Sequence, residues 1–335
     1  MKILFRTNGG TNIGLGHLYR CISLAKAIKT LNYNIKIAFV INEEAINILK
    51  NYYVDFLASE CFDEKDLKLI KSINPNMIVF DSYLANDEYL KKLANISKLA
   101  VFDDNDNIYN LSFVNIIING NLPADTLYFS KKENIKYLLG PKYLVMKQEY
   151  WNLNKKDLYP VDNYKTIMIT TGGADNNNLM LKFINSLKAL RTKLKIIIGQ
   201  AYTEEEINKI KKIAFGKNIE LVYKPVSLKE QIQTSDLVIT STGLTVYEIL
   251  LLKKPLIIYT SAENQKQIAM ELEKYGVFNL GWFENIKWDR LPFYITKLCK
   301  DLTSYAQNFN QSFELIDGQG ALRISRFLLK QIMIC

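Results

Sequence analysis

The chain has 335 residues, enough for two domains, because single cores rarely grow past about 250–300 residues. Its hydrophobic fraction of 48% and charged fraction of 23% exclude a disordered chain. A net charge of +9 raises the question of nucleic acid, but the lysines spread along apparent helix faces, and the group Lys209, Lys211 and Lys212 is short. No nucleic-acid partner is expected; an anionic ligand such as a phosphate needs only a local positive field. The opening Met1-Lys2-Ile3-Leu4-Phe5-Arg6 is too short in apolar residues for a secretory signal, and no apolar run reaches the roughly 18–20 residues of a membrane span. A cytoplasmic protein without stable membrane insertion is the expectation. Four scattered cysteines (Cys21, Cys61, Cys299, Cys335) show no C-x-x-C pair, so they are read as reduced thiols.

In chain order, apolar strands are predicted over 2–6, 34–40, 77–80, 98–102 and 115–118, with helix-period stretches over 17–31, 43–51, 64–73 and 87–96 between them. The stretch 140–164, with Pro141, Trp151 and Pro160, breaks the rhythm and reads as a connection. Alternation restarts with strands over 166–170, 194–198, 219–223, 237–240 and 256–259 and helices over 178–190, 204–215, 246–252 and 265–275. The tail over 288–334 reads as helical. Strand–helix alternation favours parallel sheets with helical crossovers. The expected class is α/β, with two Rossmann-like domains, 1–150 and 151–335, facing a central cleft and the helical tail assigned to the second.

The first motif, Asn8-Gly9-Gly10-Thr11-Asn12-Ile13-Gly14-Leu15-Gly16-His17, follows a strand and opens a helix. Gly14 and Gly16 let the backbone turn tightly and approach a ligand, and the free N–H groups of a helix start favour anions. A dinucleotide fingerprint fits poorly, since its third glycine position is Tyr19 and the next strand ends in Val40-Ile41-Asn42 without an acidic residue, so no cofactor is expected. His17 is the single histidine. An isolated histidine is usually structural, but this one sits at the carboxyl end of a first strand, where ligands enter α/β sheets, and an imidazole can accept a proton near neutral pH.

Thr170-Thr171-Gly172-Gly173-Ala174-Asp175 opens the second half, where Gly172 and Gly173 either admit a phosphate or sugar or make an ordinary tight turn. Ser241-Thr242-Gly243-Leu244-Thr245-Val246-Tyr247-Glu248 again joins a strand end to a helix start. Its hydroxyls and N–H groups suit a diphosphate, and Glu248 suits ribose hydroxyls; the plainer reading is an N-cap followed by a solvated charge. Asn264 and Gln265 start a further helix, as caps or as neutral donors to a phosphate or hydroxyl. Asp104-Asn105-Asp106 matches an Asp-x-Asp metal pattern but lies in an Asp/Asn-rich turn, so no metal is expected. Tyr83, in Asp81-Ser82-Tyr83, either enters the crevice or packs.

Together, Phe5-Arg6, Ile13-Gly14-Leu15-Gly16-His17, Arg20-Cys21, Asp81-x-Tyr83, Phe102-Asp103-Asp104, Gly172-Gly173-Ala174-Asp175, Ser241-x-Gly243-x-Thr245-x-Tyr247-Glu248 and Asn264-Gln265 resemble the UDP-sugar hydrolases of pseudaminic acid biosynthesis. These group with the spore-coat polysaccharide proteins and the MurG-like glycosyltransferases of GT-B fold. The likeness runs from Met1 to about Tyr275. The resemblance implies metal-independent release of UDP from UDP-2,4-diacetamido-2,4,6-trideoxy-β-L-altropyranose, and the mechanistic expectation is water attack with inversion at the anomeric carbon. It makes 1–150 the sugar and catalytic side and 151–335 the nucleotide side. It implies that His17 is the base, that Tyr83 and Asn264 orient sugar or water, that Gly173, Ser241, Gly243, Leu244 and Thr245 surround the diphosphate, and that Glu248 holds the ribose. The family's Arg-x-Asp-x-Ser stands here as Arg6-Thr7-Asn8-Gly9-Gly10, losing a carboxylate and a hydroxyl. The alternatives are a glycosyltransferase with an anionic acceptor, or a non-catalytic nucleotide-sugar-binding protein.

Overall fold

The computed structural model describes residues 1–10, 13–52, 54–104, 112–127, 131–153, 165–175, 177–300, 304–305 and 314–333. The chain divides into two units, Met1–Asn152 with Asp317–Cys335, and Leu153–Ile316.

In the first unit, β1 (Lys2–Thr7) is fully flanked, so its apolar run is buried on both faces. It pairs in parallel with β2 (Lys36–Ile41) on one side and β4 (Met77–Asp81) on the other. With β3 (Asp55–Ala58), β5 (Lys98–Phe102), β6 (Ile116–Asn119) and β7 (Lys136–Leu139), the sheet has the order β3-β2-β1-β4-β5-β6-β7. Strand alternation sends Ile3 and Phe5 to one core and Leu4 to the other. The first core contains α1 (Gly16–Leu31) and residues of α2 (Glu43–Leu49); the second contains residues of α3 (Glu64–Ile73), α4 (Asp87–Ile96) and α5 (Ala124–Leu127). The order turns back between β1 and β4, the switch point at whose carboxyl ends α/β sheets take ligands.

The second unit repeats the plan. β8 (Thr166–Thr170), α6 (Leu179–Leu187), β9 (Lys193–Ile198), α7 (Glu204–Ala214), β10 (Ile219–Tyr223) and α8 (Lys229–Gln233) lead to β11 (Leu237–Ser241), α9 (Leu244–Leu251), β12 (Leu256–Thr260), α10 (Lys266–Lys274), β13 (Phe278–Trp282) and α11 (Leu291–Lys300). Its parallel sheet runs β10-β9-β8-β11-β12-β13, switching between β8 and β11.

The expected boundaries need two corrections. The helix α12 (Gly320–Met333) belongs with the first unit, not with 151–335. Its Ile324, Leu328, Leu329 and Ile332 enter the core around α1, and Lys98 Nζ donates to Gln331 O at 2.6 Å. The expected connection over 140–164 also begins too early, since Leu144, Met146, Tyr150 and Trp151 are buried in the first unit and Trp151 Nε1 donates to Met146 O. Residues 154–164 of that connection lie outside the described residues. The edge strands β3, β7 and β13 escaped prediction because they are short or partly exposed, without the long apolar runs of central strands. Among the described residues, no helix is long and apolar enough to cross a membrane.

Candidate active site

The loop after β1 is drawn together by a backbone bridge in which Gly10 N donates to Gly14 O at 3.1 Å and Gly14 N to Gly10 O at 2.7 Å. Gly14 has φ of +84°, a left-handed conformation that glycine adopts without penalty. The loop delivers the chain into α1 with Gly16 exposed and without a side-chain cap, so its first N–H groups are left to other acceptors.

His17 stands in the first turn of α1 and reaches the carboxyl end of β4. Its Nδ1 lies 2.6 Å from Asp81 Oδ1, and the Asp81 side chain has no exposed surface. A carboxylate only accepts, so Nδ1 carries the proton and Nε2 is left as the basic nitrogen. One turn on, Arg20 donates through Nε to Asp81 Oδ2 at 2.8 Å and through Nη2 to Asp81 Oδ1 at 2.7 Å. The same guanidinium donates to Asp104 through Nη1 at 2.9 Å and Nη2 at 3.0 Å, and lies 4.3 Å above the Phe102 ring. Burial works against the charge on Arg20, but Asp104 and Asp81 together hold it protonated well above its ordinary range. Asp104 is opposed by burial in the same way, yet the Arg20 charge keeps its carboxyl below the usual range.

Tyr83 completes the group. Its ring meets His17 edge-on, centroids 4.5 Å apart, and its hydroxyl donates to Asp104 Oδ2. Burial and then the Asp104 charge push the phenol far above its usual range, so it keeps its proton. Cys21, beneath, is pushed up by burial and by Asp81, so it stays a thiol and offers no nucleophile.

Arg6 does not join this cluster. Its Nε donates to Asp66 Oδ2 at 3.1 Å, Tyr89 donates to the same oxygen, and the guanidinium lies 4.1 Å above Phe62. A Cβ at Gly10 would stand 2.1 Å from Glu44 Oε2, the far end of an exposed side chain, so a serine there requires the Glu44 carboxylate to swing aside. Asn8 is 3% exposed, and neither of its amide atoms has a hydrogen-bond partner among the described residues.

In the second unit the expected residues gather at the carboxyl edge of its sheet. A Cβ at Gly172, Gly173 or Gly243 would meet no atom within 4 Å, so the backbone there faces open space. Gly172 has φ of +95°. Gly243 is the N-cap of α9 with no side-chain cap, and Leu244 is exposed in its first turn beside Thr245. An uncapped helix start beside open glycine backbone suits a diphosphate. Ser241 ends β11, and Glu248 stands half-buried in α9. Thr242 requires a correction: it is fully buried, and both its N–H and its hydroxyl donate to Tyr259 O at 2.9 Å, so it anchors the turn and has neither donor left for a substrate. Asn264 is exposed in the short turn Glu263–Gln265, while Gln265 Oε1 accepts from Ser261 N at 2.8 Å, which leaves its amide N–H groups as donors.

Sequence reasoning missed Asp81, Arg20 and Asp104 as working parts. The signals were a carboxylate ending a buried strand and an arginine three residues beyond the histidine on one helix face. Of the Asp-x-Asp pattern, Asp104 is engaged by Arg20, Tyr83 and Asn121, and Asn105 and Asp106 lie outside the described residues.

Residues 166–319 match the glycosyltransferase family 28 C-terminal domain. The spore coat polysaccharide biosynthesis protein SpsG of Bacillus subtilis is 22% identical over 98% of each chain. A UDP-2,4-diacetamido-2,4,6-trideoxy-beta-L-altropyranose hydrolase of Campylobacter jejuni is 27% identical over 82% of this chain and 97% of its own. The uncharacterized protein MJ1062 of Methanocaldococcus jannaschii is 31% identical over 80% of this chain, which spans 57% of the length of that relative. Among solved structures, MurG of Acinetobacter baumannii superposes with a TM-score of 0.70 over 98% of this chain and 99% of its own, at 11% identity. The protein is a GT-B-fold homologue of SpsG and of the altropyranose hydrolase. On this fold, the family 28 match falls on the unit that carries the open glycine turns and the uncapped start of α9.

Proposed function

We propose that this protein is an inverting, metal-independent hydrolase that releases UDP from a UDP-activated 2,4-diacetamido-trideoxy sugar in nonulosonate biosynthesis of the pseudaminic acid type. The observation that carries it is the His17–Asp81 pair, an imidazole whose proton is fixed on Nδ1 by a buried carboxylate. A relative with this hydrolase activity in its name supports the choice of substrate.

Roles are assigned within each unit separately. The second takes the nucleotide, with Gly172, Gly173, Ser241, Gly243, Leu244 and Thr245 around the diphosphate, Glu248 at the ribose, and Asn264 and Gln265 donating to phosphate or sugar. The first takes the sugar near Gly14, Gly16, His17 and Tyr83. Nε2 of His17 removes one proton from a water, whose oxygen attacks the anomeric carbon. The bond from that carbon to the diphosphate oxygen breaks, and UDP leaves from the opposite face with the electron pair. The start of α9 stabilises the charge growing on the diphosphate. A general base is worth about 10²–10⁴ in rate, so His17→Ala loses turnover on that scale while UDP affinity is nearly unchanged. Full activity in that variant would end the proposal.

The family 28 match favours a second reading, a glycosyltransferase that delivers the sugar to an acceptor hydroxyl. Incubation of the protein with the UDP-sugar alone, followed by NMR, separates them. Free sugar appears without acceptor only if water is the nucleophile.

A further inference from the structure

We infer that Asp104, clamped by Arg20, makes Tyr83 an obligate hydrogen-bond acceptor and so selects water over an alcohol as the nucleophile; this rests on the hydrolase proposal above. Four donors converge on the Asp104 carboxylate. Oδ1 receives Arg20 Nη1 at 2.9 Å and Asn121 Nδ2 at 3.0 Å; Oδ2 receives Arg20 Nη2 at 3.0 Å and the Tyr83 hydroxyl. An ionised carboxylate cannot donate, so the single phenolic proton is committed inward. What Tyr83 offers to solvent, at 38% exposure, is lone pairs only. The protonation states agree: Arg20 holds Asp104 ionised against burial, and burial with Asp104 holds Tyr83 protonated.

His17 is arranged in parallel, with its Nδ1 proton committed to Asp81 and its Nε2 left to accept. The two rings are neighbours, 4.5 Å between centroids. In this scheme one water donates one proton to His17 Nε2 and the other to the Tyr83 oxygen, so that both acceptors are satisfied. An alcohol has one hydroxyl proton and leaves one acceptor without a donor, which disfavours it as the nucleophile once substrate has displaced solvent. Asp104 and Arg20 touch no substrate in this scheme; they are positioning residues.

The test is solvolysis of the UDP-diacetamido sugar in water containing methanol, with NMR counting free sugar against methyl glycoside. In each product-forming event one proton passes to His17 and UDP departs. Wild type forms less methyl glycoside than the methanol-to-water ratio dictates. Asp104→Asn lets an amide donate to Tyr83, and Tyr83→Phe deletes the acceptor without touching the Arg20–Asp104 pair, which covers the case in which Asp104→Asn does not fold. In both, hydrolytic kcat falls about 10–100-fold, the scale of one hydrogen bond to a reacting group, KM stays within about twofold, and the share of methyl glycoside rises several-fold. A slower variant with an unmoved product ratio marks Asp104 as structural only and overturns this inference alone, as does an unchanged rate. A wild type that binds UDP but yields no free sugar overturns the hydrolase proposal and this inference with it.

Discussion

Nδ1 of His17 and Oδ1 of Asp81 stand 2.6 Å apart, and they come from elements 64 residues apart in the chain. Thr7 fixes the carboxylate end of β4 by donating its hydroxyl to Asp81 O at 2.8 Å, and Arg20 holds the carboxylate itself. Asp81→Asn replaces an acceptor-only group with one that also donates, so the imidazole loses its single tautomer. Hydrolytic kcat is expected to fall about 10²–10⁴-fold, with UDP affinity changed by no more than about twofold. Steady-state kinetics and calorimetric titration with UDP read the two quantities separately. A kcat within threefold of wild type would mean that the carboxylate does not set the tautomer.

Much of the fold was legible because it is local. The buried runs of β1, β4 and β5 and the helical periods of α3 and α4 announce themselves within windows of ten residues. The glycine turns before α1 and after β8 were readable from composition, and both contain a glycine with positive φ. The electrostatic part of the site was not. Arg20 meets Asp104 across 84 residues, and no spacing rule registers a pair at that distance. The helical period of Ile324, Leu328 and Ile332 disclosed a helix but not which sheet it covers, since an apolar stripe fits any apolar face. Thr242 was misread for a similar reason: a hydroxyl before a helix is a cap or ligand donor in sequence, and only the approach of Tyr259 O turns it inward.

The docking of α12 depends on a backbone contact that can be broken by one methyl group. A Cβ on Gly320 would lie 2.0 Å from Leu144 O and 2.7 Å from Leu144 N, and a Cβ on Gly120 would lie 2.5 Å from Leu144 Cα. These are backbone atoms, which cannot swing aside as a side chain does. Gly320→Ala therefore pushes α12 off its seat and partly uncovers Ile324 and Leu328. A loss of about 1–3 kcal/mol or more is expected in urea unfolding, against the usual gain from Gly→Ala in a helix. A variant as stable as wild type would show that the contact relaxes freely.

Gly173 offers the opposite case. Its carbonyl is pinned by Ala201 N at 2.9 Å and by the close approach of Gly199, while a Cβ on Gly173 itself would meet nothing within 4 Å. Gly173→Val therefore leaves the fold within about 0.5 kcal/mol of wild type, since the side chain projects into open space. If that space is the diphosphate site, UDP affinity falls about tenfold or more, equivalent to about 1.4 kcal/mol. His17→Ala, in the other unit, leaves the same affinity nearly unchanged. Titration of the two variants with UDP alone decides it, and equal affinities would move the nucleotide elsewhere.

The pH dependence of stability carries the signature of Asp104. Its carboxyl titrates lower in the folded protein than in the unfolded chain, because burial, the largest single influence, is outweighed by the Arg20 charge together with the hydrogen bonds from Arg20 and Tyr83. A depressed carboxylate binds fewer protons when folded, so stability rises with pH wherever the unfolded chain is still protonated. The contribution is complete above the unfolded value near 3.9 and is lost as pH falls through the lower folded value. Asp104→Asn removes this titration. Thermal melts should show wild type more stable than the variant by a constant margin above about pH 5, with the margin shrinking steadily below about pH 4. A margin independent of pH down to acid unfolding would mean that the Arg20–Asp104 pair contributes no charge-dependent stability, and the clamp on Tyr83 would then need another cause.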